Sequence, residues 1–447
     1  VVDGPRWLAL WVDVYVPRDA PAGTYLGTAS VGGDALHEQV TVELRVHDAT
    51  LSDDFACEVG LNNYGSIGRK GSDLRLRYYQ MAHRHRLAIH EHFIQTATTG
   101  SGARMRGEWS AYDAEMGEYL SGQAFTSAHG YRGPGEGRPV RWLYLPVEIA
   151  GSHAWPLPAE CMRQSEYDEA VVAMVRDFAT HFAARGWTAT ELMFFVNGLD
   201  EPTKPGQIAD IRYFGDLCRR AAAARVHYRA DINHLHDIER FDIGYTEQRV
   251  LDELGPVIDL WVCVADFQRT DFSVLLPRRQ PPRCDTVWFY QNREPSVGGY
   301  TLDDETIGLR TWPVICWKYG LDGCVLWELT YTGQSADIWR DPRNSVNPEL
   351  VHNLAGLLAY PGRAGTEEPV ASIRLKMFRR GAQDYEYLRL LEQAAGRQAA
   401  QAILDPLVPA ALHRPGREYG APGSWSHDPE AWERMRLEVL EAIEGSR

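Results

Sequence analysis

Between residues 55 and 329 the sequence alternates short apolar runs with amphipathic stretches, and this alternation constrains the fold more than any other feature. The apolar runs have the length of strands and lie at residues 55–61, 87–94, 141–149, 190–197, 226–232, 257–265, 286–291 and 322–329. Helical patterns separate several of them, at 72–86, 166–185, 206–225 and 302–319. Alternating strands and helices build right-handed βαβ units around a parallel sheet. Eight such strands in one stretch of chain predict a (β/α)8 TIM barrel of the α/β class.

An open, doubly wound sheet is the competing α/β architecture. Its dinucleotide-binding form carries a GxGxxG turn between a strand and the following helix. No such motif follows any of the predicted strands, so the barrel is the favoured prediction.

The segments that flank the barrel have a different pattern. Before it, three alternating runs separated by turn residues predict a small antiparallel sheet at 6–16, 24–31 and 39–46, which is either the end of a larger β domain or a sheet docked on its neighbour. After it, residues 405–428 are rich in Pro and Gly and precede a predicted helix at 429–444. The resulting domains are a small β domain at 1–50, a catalytic barrel at 51–404, and a C-terminal linker and helix at 405–447.

One stretch inside the barrel interrupts the alternation. Residues 98–140 contain nine glycines and show little periodicity. Long ordered loops in compact domains tend to be functional, so this insertion is predicted to be either disordered or a wall over the active site.

Charge and cysteine content exclude several classes of protein. The net charge is −15, which disfavours sequence-independent binding of nucleic acid. No uncharged apolar run reaches the length of about 18 residues that a transmembrane helix needs. The seven cysteines are widely spaced and form no CxxC pair, which argues against a disulfide framework and a thiolate zinc site. We therefore predict neither a metal nor another cofactor.

The barrel prediction places the active site at the carboxyl ends of the strands. The side chains expected there are amides, carboxylates and aromatic rings, a set suited to the hydroxyls and C–H faces of sugars. They are Asn62, Asn63, Tyr64, His90, Glu91, His92, Glu148, Asn197, Asp200, Glu201, Asp231, Asn233, His234, Asp266, Trp288, Tyr290, Asn292, Trp327 and Glu328, with Tyr331 and Trp339 beyond the last strand.

The sharpest local signal is the sequence FFVNGLDEP at the end of the fourth strand. Pro202 is expected to hold Glu201 extended, while Gly198 allows the strand end to turn so that Asp200 and Glu201 face the same side. Two adjacent carboxylates cannot both ionise cheaply, so one pKa should rise, as glycoside cleavage requires. The competing interpretation is that Asp-Glu-Pro simply opens a helix, where acidic groups are favoured.

Four motifs in order resemble one family. They are WVDVYVPRDAPAGTYLGTASV, FFVNGLDEP, YGLDGCVLWELTY, and YPG at 360–362 followed by PVASIRLKMFRRGAQDYEYLRLLE. Together they are similar to the glycoside hydrolase family 123 β-N-acetylgalactosaminidases and to proteins that share their catalytic domain. The resemblance covers nearly the whole chain, including the end of the family's N-terminal β-sandwich.

The resemblance implies a retaining exo-glycosidase in which the 2-acetamido oxygen of the substrate attacks the anomeric carbon and forms an oxazolinium intermediate. The family's Asp-Glu pair matches Asp200 and Glu201. Glu201 would be the general acid and then the base, and Asp200 would orient the acetamido N–H and stabilise positive charge. No protein nucleophile is then required.

The remaining binding roles are hypotheses from strand ends and residue chemistry. Tyr290 is expected to hold the acetamido carbonyl, and Trp327 to lie under the sugar ring. Glu328 and the strand-end amides are expected to bind hydroxyls, with the amides at Asn292, Asn233 and Asn63. Trp339 follows a glycine-containing loop and is expected to cap the pocket. The site set is completed by His92 and Trp288.

Three alternatives stay open. In a two-carboxylate retaining β-glycosidase, Glu294 or Glu328 would be the nucleophile, although such enzymes carry Asn where this chain has Asp200. In a metal-dependent TIM-barrel hydrolase, the ligands would come from His90, His92, His234, His236 and Asp266. A sugar-binding protein with an inactive barrel is the third.

The expected partner is a glycan or glycoconjugate with a terminal N-acetylhexosamine, and neither nucleic acid nor a membrane span is expected. The pattern does not separate N-acetylgalactosamine from N-acetylglucosamine, and it indicates no oligomeric state. No signal-peptide pattern follows Val1. The sequence is therefore expected to start either inside a longer gene product or at a site created by processing. Glycosidases of this kind often act in the periplasm or outside the cell.

Overall fold

The structure is a computed structural model of the 447-residue chain. It describes residues 11–33, 36–68, 71–92, 94, 96–145, 149–150, 161–266, 269–291, 297–344, 353–363, 367–412 and 425–446.

The strands in chain order are β1 (Gly23–Gly33), β2 (Leu36–Val46), β3 (Glu58–Asn63), β4 (Ala88–Glu91), β5 (Ala97–Thr99), β6 (Arg106–Glu108), β7 (Trp142–Tyr144), β8 (Ile149–Ala150), β9 (Glu191–Phe194), β10 (Val196–Asn197), β11 (Val226–Ile232), β12 (Leu260–Val264), β13 (Thr286–Tyr290), β14 (Gly323–Leu326), β15 (Ala359–Tyr360) and β16 (Val370–Ala371). The α-helices are α1 (Ser72–Arg84), α2 (Trp109–Ser121), α3 (Ser165–Ala184), α4 (Gln207–Ala221), α5 (Glu247–Leu254), α6 (Gly308–Tyr319), α7 (Ile373–Ala395), α8 (Arg397–Leu404) and α9 (Pro429–Gly445).

The central feature is a parallel barrel. Within the described ranges, eight strands pair in the order β4-β3-β14-β13-β12-β11-β9-β7, and every pairing in this sheet is parallel. The two strands at its ends meet across a seam, where the rings of His92 and Tyr144 lie 3.7 Å apart. Each predicted strand overlaps an observed one, so the barrel prediction is confirmed. The carboxyl ends of all eight strands consequently open on the same face.

Strand alternation divides the barrel into a lumen and an outer face. On β11, Val226, Tyr228 and Ala230 pack into the large core that the helices cover, while Arg229 and Asp231 point inward beside Tyr144. A smaller apolar cluster fills the lumen, formed by Trp142, Tyr144, Met193, Leu260, Val262, Val264, Trp288, Tyr290 and Val325. The lumen is therefore a packed core whose upper layer is available for a site.

The segment 98–140 contains regular secondary structure, so the disordered alternative is wrong, while its role as a wall over the active site stays a prediction. It contains the thirteen-residue helix α2, whose Trp109 ring stacks on His181 of α3 at 4.1 Å. Arg75 of α1 donates to Glu115 of α2. This segment thus supplies the helical layer between β4 and β7. The many glycines of this segment obscured its helical periodicity in the sequence. One of them, Gly122, adopts a left-handed φ of 83° where α2 ends.

The N-terminal sheet is smaller than predicted. Strands β1 and β2 form an antiparallel hairpin from Gly23 to Val46, which confirms two of the three expected strands. The third, at 6–16, is wrong over residues 11–16, which form no strand; its remaining residues lie outside the described part. Asp13 in this segment accepts hydrogen bonds from Lys376 and Arg379 of α7. These charged contacts hold the segment against α7.

The predicted C-terminal helix is confirmed as α9, and buried charges attach it to the barrel. Arg310 of α6 donates to Asp384 of α7 at 2.6 Å, and Arg436 of α9 donates to the same carboxylate at 2.7 Å. Both guanidinium groups hold the pKa of the Asp384 carboxyl below its usual range, against the effect of burial. The proposed domain limits at residues 50 and 404 stay a prediction. No helix in the described ranges is long and apolar enough to cross a bilayer.

Helix α7 begins with a side-chain cap, which gives a stability prediction. Ser372 accepts a hydrogen bond from the backbone N–H of Leu375 at 3.2 Å, and its side chain is buried. We expect Ser372→Ala to lower the free energy of unfolding by about 1 kcal/mol, because this donor loses its partner. Urea unfolding should show the change. Ser121→Ala, at the exposed end of α2, is the control, and an equal loss in both variants would contradict a capping role.

Candidate active site

Strand β9 ends in a sharp turn that carries the two adjacent carboxylates. Gly198 has a left-handed φ of 87°, and its N–H donates to Oδ1 of Asp200 at 3.1 Å. Glu201 also has a positive φ, 52°, a conformation that costs a non-glycine residue free energy. The expectation that Pro202 keeps Glu201 extended is therefore wrong. The expected turn at Gly198 is present, and no regular helix starts at this Asp-Glu-Pro sequence, because α4 begins only at Gln207.

Residues from two other strands of the barrel hold Glu201 in place. The hydroxyl of Tyr290, at the end of β13, donates to Oε1 of Glu201. The backbone N–H of Glu201 donates to the carbonyl of Asp231, at the end of β11, at 2.8 Å. Burial raises the pKa of the Glu201 carboxyl, and the negative charges of Asp200 and Asp231 raise it further against the Tyr290 hydrogen bond. Glu201 is thus suited to carry a proton at a higher pH than an exposed glutamate.

Asp200 shares this environment. Burial raises the pKa of its carboxyl, and the charge of Asp231 adds to the increase. Hydrogen bonds from backbone N–H groups, including that of Gly198, favour its ionised form and oppose the rise. Asp200 and Glu201 therefore share two influences, burial and the charge of Asp231, which raise the pKa of both carboxyl groups.

A buried ion pair lies next to the two carboxylates. The sequence predicted Asp231 at the end of the fifth strand, but it did not predict Arg229 or the pairing of the two. Nε and Nη2 of Arg229 each donate to one oxygen of Asp231, both at 2.7 Å. Nη1 of Arg229 donates to the Tyr144 hydroxyl at 2.6 Å, which in turn donates to Oδ1 of Asn62 at 3.1 Å. The available signal was an arginine two residues before an aspartate on a strand, a spacing that places both on one face.

Glu328 and Asn63 lie close together at the strand ends, but their polar groups bond mainly to each other and to nearby backbone groups. Oε1 of Glu328 accepts from Asn63 at 2.9 Å and from the N–H groups of Leu329 and Thr330, both at 2.8 Å. Its Oε2 accepts from the backbone N–H of Tyr64 at 2.8 Å. These bonds join the end of β14 to the end of β3. They also fix the backbone of Tyr64, whose partly exposed ring lies 4.7 Å from His92.

The three tryptophans predicted for the site lie at different distances from the barrel lumen. Trp288 is completely buried in the lumen and stacks on His90 with ring centroids 5.7 Å apart. Trp327, just after β14, is half-buried and donates from Nε1 to the Tyr300 hydroxyl at 2.8 Å. Trp339 lies farther along the following loop, with its ring 4.5 Å from that of Tyr360.

The other expected binding residues are His92, Asn233 and Asn292. His92 is buried between the rings of Tyr64 and Tyr144, at 4.7 and 3.7 Å. Asn233 follows β11, and its Oδ1 is buried without a hydrogen-bond partner among the described residues. Asn292 lies outside the described residues, as does Glu294, the alternative nucleophile.

The histidines considered for a metal cluster have separate partners. His90 contacts Glu58 at 2.8 Å, His234 contacts Asp237 at 2.7 Å, and His236 contacts Glu247 at 2.9 Å. Across the part of the chain that the structure describes, no group of three or more His, Cys, Asp or Glu residues is placed to hold a metal ion.

Comparison with known families gives one match. The model of the glycoside hydrolase 123 catalytic domain matches residues 159–391, which is more than half of the 447 residues. The matched range contains Asp200, Glu201, Asp231 and Tyr290. No curated protein matches the chain.

Solved structures show similarity of fold. A family 123 glycoside hydrolase from Clostridium perfringens, described in connection with glycolipid glycan hydrolysis, is 12% identical and has a TM-score of 0.55, covering 96% of this chain and 76% of that chain. An endo-1,4-beta-mannanase from Rhizomucor miehei (10% identity, TM-score 0.34, 63% and 88% covered) and a dihydrodipicolinate synthase from Bacillus clausii (10% identity, TM-score 0.23, 76% and 91% covered) are also similar, at scores too low to support an argument.

Proposed function

Since the chain belongs to glycoside hydrolase family 123, we propose that it is a retaining exo-glycosidase that removes terminal β-linked N-acetylgalactosamine by substrate-assisted catalysis. The observation that carries this proposal is the Asp200–Glu201 pair. Both carboxyl groups lie on one strained turn at the carboxyl end of β9. Burial raises the pKa of both, and the negative charge of Asp231 adds to each increase.

In the first step Glu201 acts as the general acid. It gives its proton to the glycosidic oxygen while the C1–O bond breaks, and the aglycone leaves as an alcohol. The acetamido oxygen of the substrate forms the new bond to C1, so a bicyclic oxazolinium intermediate results. Because the nucleophile belongs to the substrate, proximity supplies a large part of the rate, and no protein carboxylate needs to lie within bonding distance of C1.

Asp200 carries the second role. As a carboxylate it accepts the acetamido N–H, which directs the acetamido oxygen toward C1, and its charge stabilises the positive charge of the oxazolinium ring. In the second step Glu201, now ionised, removes a proton from water. That water opens the intermediate at C1 and restores the β configuration.

The surrounding residues fall into two groups: those that contact the substrate and those that fix the shape of the pocket. We assign the acetamido carbonyl to Tyr290, whose hydroxyl already reaches the catalytic pair. Trp327 is assigned to the sugar face, Asn233 and Asn292 to hydroxyls, and Trp339 to the pocket rim.

Four residues that the sequence predicted to contact the substrate are better suited to holding the pocket in shape. Glu328 and Asn63 spend their polar groups on each other and on neighbouring backbone, while His92 and Trp288 are buried beneath the strand ends. These four residues would fix the shape of the pocket.

The decisive experiment compares aryl β-glycosides of N-acetylgalactosamine, N-acetylglucosamine and galactose. We expect release from the 2-acetamido sugars only, with the galacto sugar preferred and with no effect of a chelator. The plain galactoside should react at least about 10⁴-fold more slowly, because its cleavage forgoes the intramolecular nucleophile.

Each other outcome has a definite meaning. Equal cleavage of the plain galactoside would exclude substrate assistance and favour a protein nucleophile, with Glu294 and Glu328 as the carboxylates to test. A loss of activity on chelation would favour the metal-dependent hydrolase. If all three glycosides were bound without hydrolysis, the barrel would be a sugar-binding module.

A further inference from the structure

A third carboxylate borders the catalytic pair, and its position is unusually well determined. Asp231 receives two hydrogen bonds from Arg229, which is fully buried in the lumen. The guanidinium of Arg229 lies 5.3 Å from the ring centre of Tyr144 and 5.2 Å from that of Phe195. A planar cation that makes two hydrogen bonds to one carboxylate and packs against two aromatic rings has little freedom to move. The carboxylate of Asp231 is therefore fixed in place from below.

Asp231 reaches the catalytic pair in two ways. Its backbone carbonyl accepts the N–H of Glu201 at 2.8 Å, which supports the left-handed conformation of Glu201. Its side chain, still partly exposed, places a negative charge near both Asp200 and Glu201. Asp231 thus affects both the backbone conformation of Glu201 and the pKa of its carboxyl group.

We propose that Asp231, anchored by Arg229, is a positioning residue that holds the backbone of Glu201 and keeps a fixed negative charge beside the Asp200–Glu201 pair. This inference rests on the proposed glycosidase function, and it adds a residue outside the Asp-Glu motif. Its consequence is that Glu201 stays protonated up to a higher pH than the motif alone would allow.

The other charged and titratable groups around the pair do not replace Asp231. The positive charge of Arg229 lowers the pKa of Asp200, whereas the charge of Asp231 raises it. Arg229 lies behind the carboxylate of Asp231, to which it is hydrogen-bonded. Arg269 acts on Glu201 in the opposite sense, and the Tyr290 hydroxyl stabilises the ionised form of Glu201. Tyr64 and Tyr144 also lie near Asp200, and burial together with the nearby carboxylates keeps both hydroxyls neutral by raising their pKa values. Asp231 is accordingly the carboxylate that raises the pKa of both members of the pair.

The test is the pH profile of Asp231→Asn on the aryl β-N-acetylgalactosaminide. The substitution removes the charge but keeps the backbone carbonyl that Glu201 uses. Loss of a like charge lowers the pKa of a carboxyl group. The alkaline limb of kcat/KM, set by protonated Glu201, and the acid limb, set by ionised Asp200, should therefore both move to lower pH. Asp259→Asn is the control, because it removes an arginine-paired carboxylate at the opposite end of the barrel.

A second variant guards against loss of folding, since Asp231→Asn leaves the buried Arg229 with a poorer partner. The double variant Asp231→Asn/Arg229→Met removes both charges of the ion pair and should move the alkaline limb in the same direction. If activity falls while both limbs keep their wild-type positions, Asp231 has only a structural role and the inference is overturned.

The inference is separable from the proposed function. Should the wild-type protein cleave none of the glycosides, the titration of the Glu201 carboxyl can be followed by infrared difference spectroscopy, with its band identified by its absence in Glu201→Gln. A lower titration midpoint in Asp231→Asn would uphold the role of Asp231 even though the glycosidase proposal had failed. An unchanged midpoint would reject it.

Discussion

Glu201→Gln should reduce kcat/KM on an N-acetylgalactosaminide with a poor leaving group by about 10²- to 10⁴-fold, the range that general acid catalysis contributes. The amide keeps the size of the carboxyl group and can still accept the hydrogen bond of the Tyr290 hydroxyl. It has no proton acidic enough to give to the departing oxygen. The fold should therefore survive while the first chemical step slows.

The size of the loss should depend on the leaving group. A dinitrophenolate leaves without protonation, so kcat/KM for such a glycoside should fall far less than for an alkyl glycoside. Steady-state rates on a series of aglycones measure this dependence directly. A structural defect would instead reduce the rates on all substrates by the same factor.

Glu191→Gln is the matched control for this variant. Glu191 begins the same strand, β9, at the opposite end of the barrel, and it contacts Arg225 at 2.7 Å and His227 at 2.9 Å. Its substitution should leave the leaving-group dependence unchanged. If the two variants behaved alike, or if Glu201→Gln lost nothing on the alkyl glycoside, Glu201 would not be the acid.

The barrel could be predicted because each strand carries its signal locally. The predicted run at 226–232 coincides with β11, and the other seven predicted strands overlap their observed counterparts, since a buried parallel strand is a short apolar run between helices. Helix α2 could not be predicted in this way. Its sequence WSAYDAEMGEYLS mixes small, polar and aromatic residues, and its partners His181 and Arg75 come from helices distant in the chain.

The candidate site was predictable where one segment supplies it and unpredictable where several strands combine. Asp200 and Glu201 come from a single turn, and the barrel rule located Tyr290 beside them. The sequence does not show that the carboxylate of Glu328 is spent on Asn63 and backbone N–H groups, because those donors lie on other parts of the chain. It likewise does not show that Asp231, rather than its neighbour Asn233, borders the acid.

Asp200→Asn should give the second large effect, a loss of about 10²- to 10³-fold in kcat/KM on the N-acetylgalactosaminide, comparable to the removal of one preorganised electrostatic contact. An asparagine side chain can still accept the acetamido N–H, but it brings no negative charge to the developing oxazolinium ring. The loss should therefore appear in the chemical step, with substrate binding little changed. Steady-state kinetics that separate kcat from KM measure this, and Asp210→Asn on α4, where Asp210 pairs with Arg163 at the surface, is the control.

Changing the substrate tests the same idea from the other side. Fluorination of the acetamido methyl group withdraws electrons from the acetamido oxygen and weakens it as a nucleophile. The wild-type rate should therefore fall steeply from the acetyl to the trifluoroacetyl glycoside, since the oxygen attacks C1 in the first step. In Asp200→Asn the oxazolinium charge is no longer stabilised, so the slow step should depend on this oxygen at least as strongly. If fluorination left either enzyme unaffected, the acetamido group would not be the nucleophile, and Asp200 would need a different role.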